Sequence, residues 1–240
     1  MYTFNHIEAD YAFSGKVTFA DGHVSLFTKK DHVEVTKRKD VYICAMHGSS
    51  DEKLNGNDPD EFDAVILEFG KALYPMSLRV SEEGELLGVD DFDGLKEHWL
   101  AKRKEIIDYY NSYVVEKESN RYALALDSEE KFFNIIKKNM LYRLLFWQDE
   151  LPNQEVEIRD FPARARLAIF TFPSGKFGGK GVGYDTYSLH DEGSGRLLGG
   201  HATLSVTRGA DGLPDEIVLK ARVEEQDTGY FSKEVTLKRL

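Results

Sequence analysis

The chain has little that would brace it covalently or hold it in a membrane. Its 240 residues include a single cysteine, Cys44, so no disulfide can form within the chain. Cys44 lies in the apolar run 41–46, which is typical of a small buried hydrophobe rather than a nucleophile. No apolar run approaches the roughly 20 residues of a membrane-spanning helix, and the N-terminus lacks a basic region followed by an apolar core. We therefore expect a cytoplasmic protein without a membrane partner.

Positive charge is in deficit. The chain has 31 Lys and Arg against 42 Asp and Glu, a net charge of −11. Such a surface repels phosphate backbones, so we expect no nucleic-acid partner, and it favours a basic protein partner. Hydrophobic residues are 41% of the chain and charged residues 30%, which indicates a globular protein. A chain of this length can bury a core without help from a metal or a disulfide.

Catalytic and cofactor signatures are also missing. The sequence has no Gly-x-Ser-x-Gly elbow, and no Gly-x-Gly-x-x-Gly turn joins a strand to a helix. It has no Cys-x-x-Cys and no His-x-x-x-His pair, so zinc has no framework. We predict no metal and no cofactor, and the sequence favours a non-enzymatic protein over an enzyme.

Strand patterns are present at both ends of the chain. Residues 16–19 and 23–27 flank Asp21-Gly22, which predicts a hairpin whose two turn residues have positive φ. Apolar and polar residues alternate over 216–223, as in a half-buried antiparallel strand. Further strands are predicted at 33–35, 41–46, 77–80, 85–89, 164–172, 184–189, 197–206 and 231–237.

Helical spacing of apolar residues dominates the middle of the chain. It predicts helices over 60–73, from Asp91 to about Tyr110, over 114–126, and over 127–147 with a capping box of Asp127 and Glu130. The acidic stretch 49–60 is predicted to be a loop. The apolar faces of the helices are too wide for solvent, so they need a sheet to cover them.

We therefore predict an α+β fold in which a large, curved, mostly antiparallel sheet from both chain ends clasps about three central helices. Residues 1–240 form one domain, and the best candidate for a boundary lies at 150–153, at Pro152-Asn153. The strand–turn–strand–helix order of residues 74–99 resembles that of bacterial proteins with curved sheets around helices. The resemblance names no family and implies no functional residue.

The glycine-dense segment 174–183 resembles a phosphate-binding loop only in composition. Gly175 and Gly179-Lys180 enclose three residues instead of four, and Gly181 stands where a hydroxyl is needed. A hairpin loop is the better interpretation. Lys176 and Lys180 remain candidates for contact with an anion or an acidic partner.

His190 and Asp191 are the other candidate ligand-binding residues, since a histidine beside carboxylates can act as a base or a ligand. A turn ahead of Gly193-Ser194-Gly195 is the competing interpretation. The stretch 51–56 resembles the start of a calcium loop, but Lys53 and Phe62 occupy two ligand positions, which excludes that site.

Three hypotheses on function follow. The first is a non-enzymatic binding protein, an inhibitor or adaptor in a bacterial setting, that recognises a protein partner through an acidic surface. The second is a carrier or sensor of an apolar small molecule in the concave face of the sheet. The third is an enzyme of unknown class, which would need a cleft with convergent His, Asp or Glu of perturbed pKa.

Overall fold

The computed structural model describes residues 5–147, 154–159, 161, 167–172, 176–178, 181–185, 188–191 and 197–240. The strands are β1 (His6–Thr18), β2 (Val24–Arg38), β3 (Val41–Leu54), β4 (Met76–Ser81), β5 (Leu86–Asp90), β6 (Gln154–Arg159), β7 (Leu167–Phe172), β8 (Lys176–Gly178), β9 (Gly181–Asp185), β10 (Ser188–Asp191), β11 (Leu197–Arg208), β12 (Pro214–Glu225) and β13 (Gly229–Arg239). The helices are α1 (Glu61–Lys71), α2 (Phe92–Tyr110), α3 (Tyr113–Ala125), α4 (Glu129–Lys138) and α5 (Met140–Leu145).

The strands form two antiparallel sheets. The large sheet has ten strands in the order β5-β4-β3-β2-β1-β13-β12-β11-β9-β8, and the small sheet has three in the order β10-β7-β6. The first and last strands of the chain pair directly, from Tyr11 opposite Arg239 to Thr18 opposite Ser232. The predicted α+β fold, with one antiparallel sheet built from both chain ends, is therefore confirmed.

The turn between β1 and β2 shows how local chemistry sets the register of the sheet. Asp21 Oδ1 accepts a hydrogen bond from the amide of His23 at 2.9 Å, and Gly22 has a φ of +85°. Only Gly22 of the Asp-Gly pair has a positive φ, so the turn is a type I turn closed by a left-handed glycine. The hairpin was predicted correctly, but its expected turn type was wrong.

The predicted loop over 49–60 was partly wrong, because β3 runs on to Leu54. Bulges interrupt the β2–β3 register near Lys30 and Asp31, and Asp51 takes a φ of +54°. A bulge lets a polar strand keep its backbone hydrogen bonds while it bends, which the period of the side chains does not reveal. The loop proper begins only after Leu54.

The helices begin and end where short polar side chains allow it. Asp60 caps α1 by accepting from the amide of Asp63 at 2.9 Å, which agrees with the predicted start. The N-cap of α4 is Ser128, which accepts from the amide of Lys131 at 3.3 Å, so the predicted capping box at Asp127 was wrong. Asp127 instead forms an ion pair with Lys131 at 2.7 Å.

The last predicted helix is broken in two. Asn139 ends α4 with an extended backbone, at φ −68° and ψ 129°, and its side chain accepts from the amide of Leu141 at 3.0 Å to cap α5. Asn competes for backbone hydrogen bonds and so favours caps over helix interiors. The strand β6 was missed altogether, although Val156 and Ile158 alternate with polar residues.

The large sheet has one face in the core and one in water. The alternation predicted over 216–223 is confirmed, because Ile217, Leu219, Ala221 and Val223 are all buried. Buried residues of the helices and of both sheets belong to a single hydrophobic core. In the part of the chain that is described, no helix combines the length and apolar character needed to cross a bilayer.

Candidate functional site

The helices α2 and α3 form a hairpin, and both helices pack against α1. The turn depends on Asn111, which has a φ of +44° and ends α2 in the left-handed region that Asn tolerates. Trp99 attaches the hairpin to the core, since its Nε1–H donates to the carbonyl of Phe69 at 3.2 Å and its ring stacks on Tyr122. The hairpin is therefore anchored at its base.

A polar link crosses the middle of the hairpin. Arg103 Nε donates to Ser119 Oγ at 3.0 Å, and Arg103 Nη2 donates to Asn120 Oδ1 at 2.7 Å. Ser119 in turn donates to the carbonyl of Glu116 at 2.7 Å and is fully buried. These bonds link the two helices of the hairpin to each other below its tip.

The hairpin exposes large apolar and aromatic side chains. Tyr109 is 82% exposed, Tyr113 78% and Leu124 67%, and Val114 is also exposed. Tyr113 and Leu124 lie eleven residues apart on α3, three helical turns, so they share one face. Tyr109 and Tyr113 flank the turn at Asn111. We name these four residues the hairpin surface.

The charge around the hairpin surface differs from that of the whole chain. Residues 92–125 contain six Lys or Arg and six Asp or Glu, and several pair along the helices, as Lys102 does with Glu105 and Arg121 with Glu118. The hairpin is thus neutral in a chain of net charge −11. A partner that covers the hairpin surface would therefore not bury an excess of positive or negative charge.

An acidic segment borders the hairpin tip. Residues 54–70 contain no Lys or Arg and five carboxylates, of which Asp58 is paired with Lys53. We name the other four, Asp60, Glu61, Asp63 and Glu68, the acidic flank. Partial burial raises the pKa of Tyr110, and the charges of Glu68 and Glu61 raise it further. Glu68 and Glu61 are therefore the two carboxylates of the acidic flank that act on Tyr110.

The described residues also form a charged pocket of about 340 Å³ between β3 and α1. Its lining includes Glu52, which is buried and paired with Lys71, and Lys53, which is paired with Asp58 at 2.6 Å. Each lysine neutralises a carboxylate, so the pocket wall is an ion-pair network. Such networks also occur for purely structural reasons.

A buried carboxyl group, that of Asp31, lies within the electrostatic influence of Glu52 in this pocket. Asp31 is 2% exposed and accepts from Lys29 Nζ at 2.8 Å, while its Oδ2 has no hydrogen-bond partner among the described residues. Burial raises the pKa of Asp31 although Lys29 lowers it, and Glu52 adds to the rise. Because Asp31 does not line the pocket, a substrate has no access to its carboxyl group.

Two tyrosines complete this interior cluster. The hydroxyls of Tyr74 and Tyr142 are 2.8 Å apart. Burial raises the pKa of Tyr74 to about 12, against the opposing effect of its bond to Tyr142, and burial also raises the pKa of Tyr142. Both phenols therefore stay protonated at neutral pH. The cluster offers no accessible base, which favours a structural role over catalysis.

The residues predicted as a site are only partly described. His190 and Asp191 lie in β10 of the small sheet, opposite Ile169 and Ala168, so the interpretation as a turn was wrong. Lys176 lies in β8, at the edge of the large sheet. The structure thus places His190 and Asp191 in one sheet and Lys176 in the other, and Lys180 lies outside the described residues.

Cys44 and the charged pockets are the remaining features that could carry chemistry. Cys44 is fully buried, and burial raises the pKa of its thiol to about 12, which confirms the expected buried hydrophobe. Over the described ranges, no group of three or more His, Cys, Asp or Glu is arranged to hold a metal ion. Three pockets formed by these ranges each have charged side chains in their lining.

No protein-family model matches the chain, and no similarity to a curated protein was found. Sequence reasoning missed Tyr109 and Tyr113, because helical spacing alone assigns apolar residues to a core. The available signal was the run Tyr109-Tyr110-Asn111-Ser112-Tyr113, which places aromatic residues around a helix-ending pair.

Proposed function

We propose that the chain is a non-enzymatic binding protein that recognises a basic protein partner through the hairpin surface and the acidic flank. The observation that carries the proposal is the exposure of Tyr109 and Tyr113 at the tip of a hairpin whose two helices are hydrogen-bonded to each other. Exposed tyrosines supply contact area at low entropic cost and are enriched among the residues that dominate binding energy.

The acidic flank determines the kind of partner. Arg and Lys side chains are attracted both to carboxylates and to the faces of aromatic rings. Glu61 and Glu68 lie near the tip, so a cationic side chain between them and the tyrosines would meet both groups. The net charge of −11 also speeds the encounter with a basic surface. Partner recognition of this kind is what an inhibitor or adaptor needs.

Fluorescence anisotropy with a labelled model peptide tests the proposal. The probe is a flexible peptide of Gly and Ser that carries arginines and leucines, and the control peptide has Glu in place of each Arg. We expect the arginine peptide alone to bind the wild-type protein, and its affinity to fall with added salt because exposed charges are screened.

The matched variants separate the two parts of the surface. The double substitution Tyr109→Ser and Tyr113→Ser should weaken binding by about tenfold or more, as loss of a binding hot spot does. Glu61→Gln with Glu68→Gln should weaken it and reduce its salt dependence. Tyr230→Ser, at an exposed tyrosine on the sheet, is the control and should have no effect. Equal affinity of the tyrosine double variant and the wild type would refute the proposal.

A further inference from the structure

A second candidate site lies on the solvent face of the large sheet, away from the hairpin. It is a pocket of about 310 Å³ on β11, β12 and β13. Its lining consists of Gly199, Gly200, His201, Arg222, Val223, Glu224 and Tyr230. The volume is near the lower end of the range for small-molecule sites, so it suits a compact ligand.

The strand register brings these residues together. Gly199 is opposite Glu224, and His201 is opposite Arg222, in the pairing of β11 with β12. Glu224 is in turn opposite Tyr230 on β13. Alternation places Arg222 and Glu224 on the same face of β12, about 7 Å apart along the strand. Two opposite charges and an aromatic ring thus converge on one pocket.

The two charges do not neutralise each other. The guanidinium of Arg222 lies 4.1 Å from the centroid of the Tyr230 ring, a cation–π contact that holds it over the ring. Among the described residues, neither Arg222 nor Glu224 forms an ion pair or a side-chain hydrogen bond. The donors of the guanidinium and the acceptors of the carboxylate are therefore available to a third group.

Gly199, one of the residues that line the pocket, has empty space where a side chain would stand. A Cβ added at Gly199 would meet no atom within 4 Å, and Gly199 does not have a positive φ. A side chain at this position would therefore enter the pocket without straining the backbone. This provides a clean means of filling the site.

We propose that this pocket binds a small zwitterion, namely a free α-amino acid. Arg222 would bind the carboxylate through its planar fork, and Glu224 would accept from the ammonium group. A ligand with only one charge would meet a like charge as well as an opposite one, whereas a zwitterion satisfies both. The ring of Tyr230 offers an apolar surface to the ligand's side chain.

Isothermal titration calorimetry with three matched probes tests the charge requirement. The probes are L-phenylalanine, 3-phenylpropanoate, which lacks the ammonium group, and 2-phenylethylamine, which lacks the carboxylate. We expect L-phenylalanine to bind about tenfold or more tightly than either of the others, since each lacks one charge-assisted contact. Binding of 3-phenylpropanoate as tightly as L-phenylalanine overturns the proposal in favour of a plain anion site.

Three substitutions test the location. Arg222→Gln and Glu224→Gln should each weaken L-phenylalanine binding by about tenfold or more. Gly199→Val should weaken it by placing a branched side chain in the pocket, and urea unfolding verifies that each variant is folded. Tyr109→Ser with Tyr113→Ser should leave it unchanged, so failure of this proposal and failure of the proposed function are distinguishable. Undiminished binding to Gly199→Val, or no binding of L-phenylalanine to the wild type up to about 10 mM, overturns the proposal.

Discussion

Asp31 shows how a single residue can contradict its sequence context. It lies on the same face of β2 as Val33 and Val35, both of which are buried, and is itself almost completely buried. Two charged residues at alternate positions, Lys29 and Asp31, would be read from sequence as the solvent side of a strand. In the fold both side chains lie on the core side of the strand and form an ion pair with each other.

The raised pKa of Asp31 predicts a pH effect of defined sign. The folded state binds the proton of Asp31 more tightly than the unfolded state does, so the contribution of Asp31 to stability is greatest at low pH and falls as pH rises from about 3.8 through the folded pKa. Relative to the variant Asp31→Asn, whose side chain does not titrate, the wild type should lose stability over that window. Urea unfolding of both proteins across a pH series measures this difference.

Asp51→Asn is the matched control for that series. Asp51 is exposed, and its hydrogen bond to Lys30 lowers the pKa of its carboxyl group. Its contribution therefore has the opposite sign: it is present above the ordinary pKa and is lost as pH falls below it. A stability difference between wild type and Asp31→Asn that does not change with pH would show that Asp31 keeps an ordinary pKa.

At the level of the helices, burial is less uniform than the apolar pattern predicts. In α2 only Leu95 and Trp99 are fully buried, while Leu100, beside Trp99 in sequence, is 44% exposed. In α4 Phe132 and Ile136 are buried but Ile135 is half exposed. The predicted wide apolar faces are thus only partly covered, and the uncovered part includes the hairpin surface.

The anchoring role of Trp99 predicts unequal costs for two neighbouring substitutions. Trp99→Ala should lower the free energy of unfolding by about 3–5 kcal/mol, because it leaves a large cavity and removes the bond to the carbonyl of Phe69. Leu100→Ala should change it by no more than about 0.5 kcal/mol, as is usual at exposed positions. Urea unfolding compares the two, and similar losses would mean that α2 is not fixed through Trp99.

For the complete chain, the decisive contact is the pairing of β1 with β13. It joins strands from opposite ends of the chain, and the buried residues of both halves form one core. Trp99 packs on Tyr122 in the helical hairpin, while Trp147 packs against Phe172 of the small sheet. The two tryptophans thus report on different regions.

One shared sheet and core should unfold in a single cooperative step. In Trp147→Phe the fluorescence comes from Trp99, and in Trp99→Phe it comes from Trp147. For each variant we expect the urea midpoint from fluorescence to coincide with that from circular dichroism, as two-state unfolding requires. Separated midpoints in either variant would indicate two units that unfold independently and would contradict the prediction of one domain.

Local chemistry was enough to predict much of the fold. Alternation over 216–223, the turn signal at Asp21-Gly22 and the helical spacing in the middle of the chain each depend on a few neighbouring residues. The break between α4 and α5 was missed. Asn139 competes for backbone hydrogen bonds there, but the same residue also occurs inside helices, so the sequence does not reveal the break. The two proposed binding sites could not be predicted from neighbouring residues alone.

The amino-acid pattern settled the fold class, the net charge and the position of most helices and strands, since these follow from short-range sterics and from the period of apolar residues. Tertiary structure alone decided that Tyr109 and Tyr113 face water, that Asp31 faces the core, and that Arg222 lies over Tyr230. Exposure and contact depend on which distant strands and helices meet, and no local period encodes that choice.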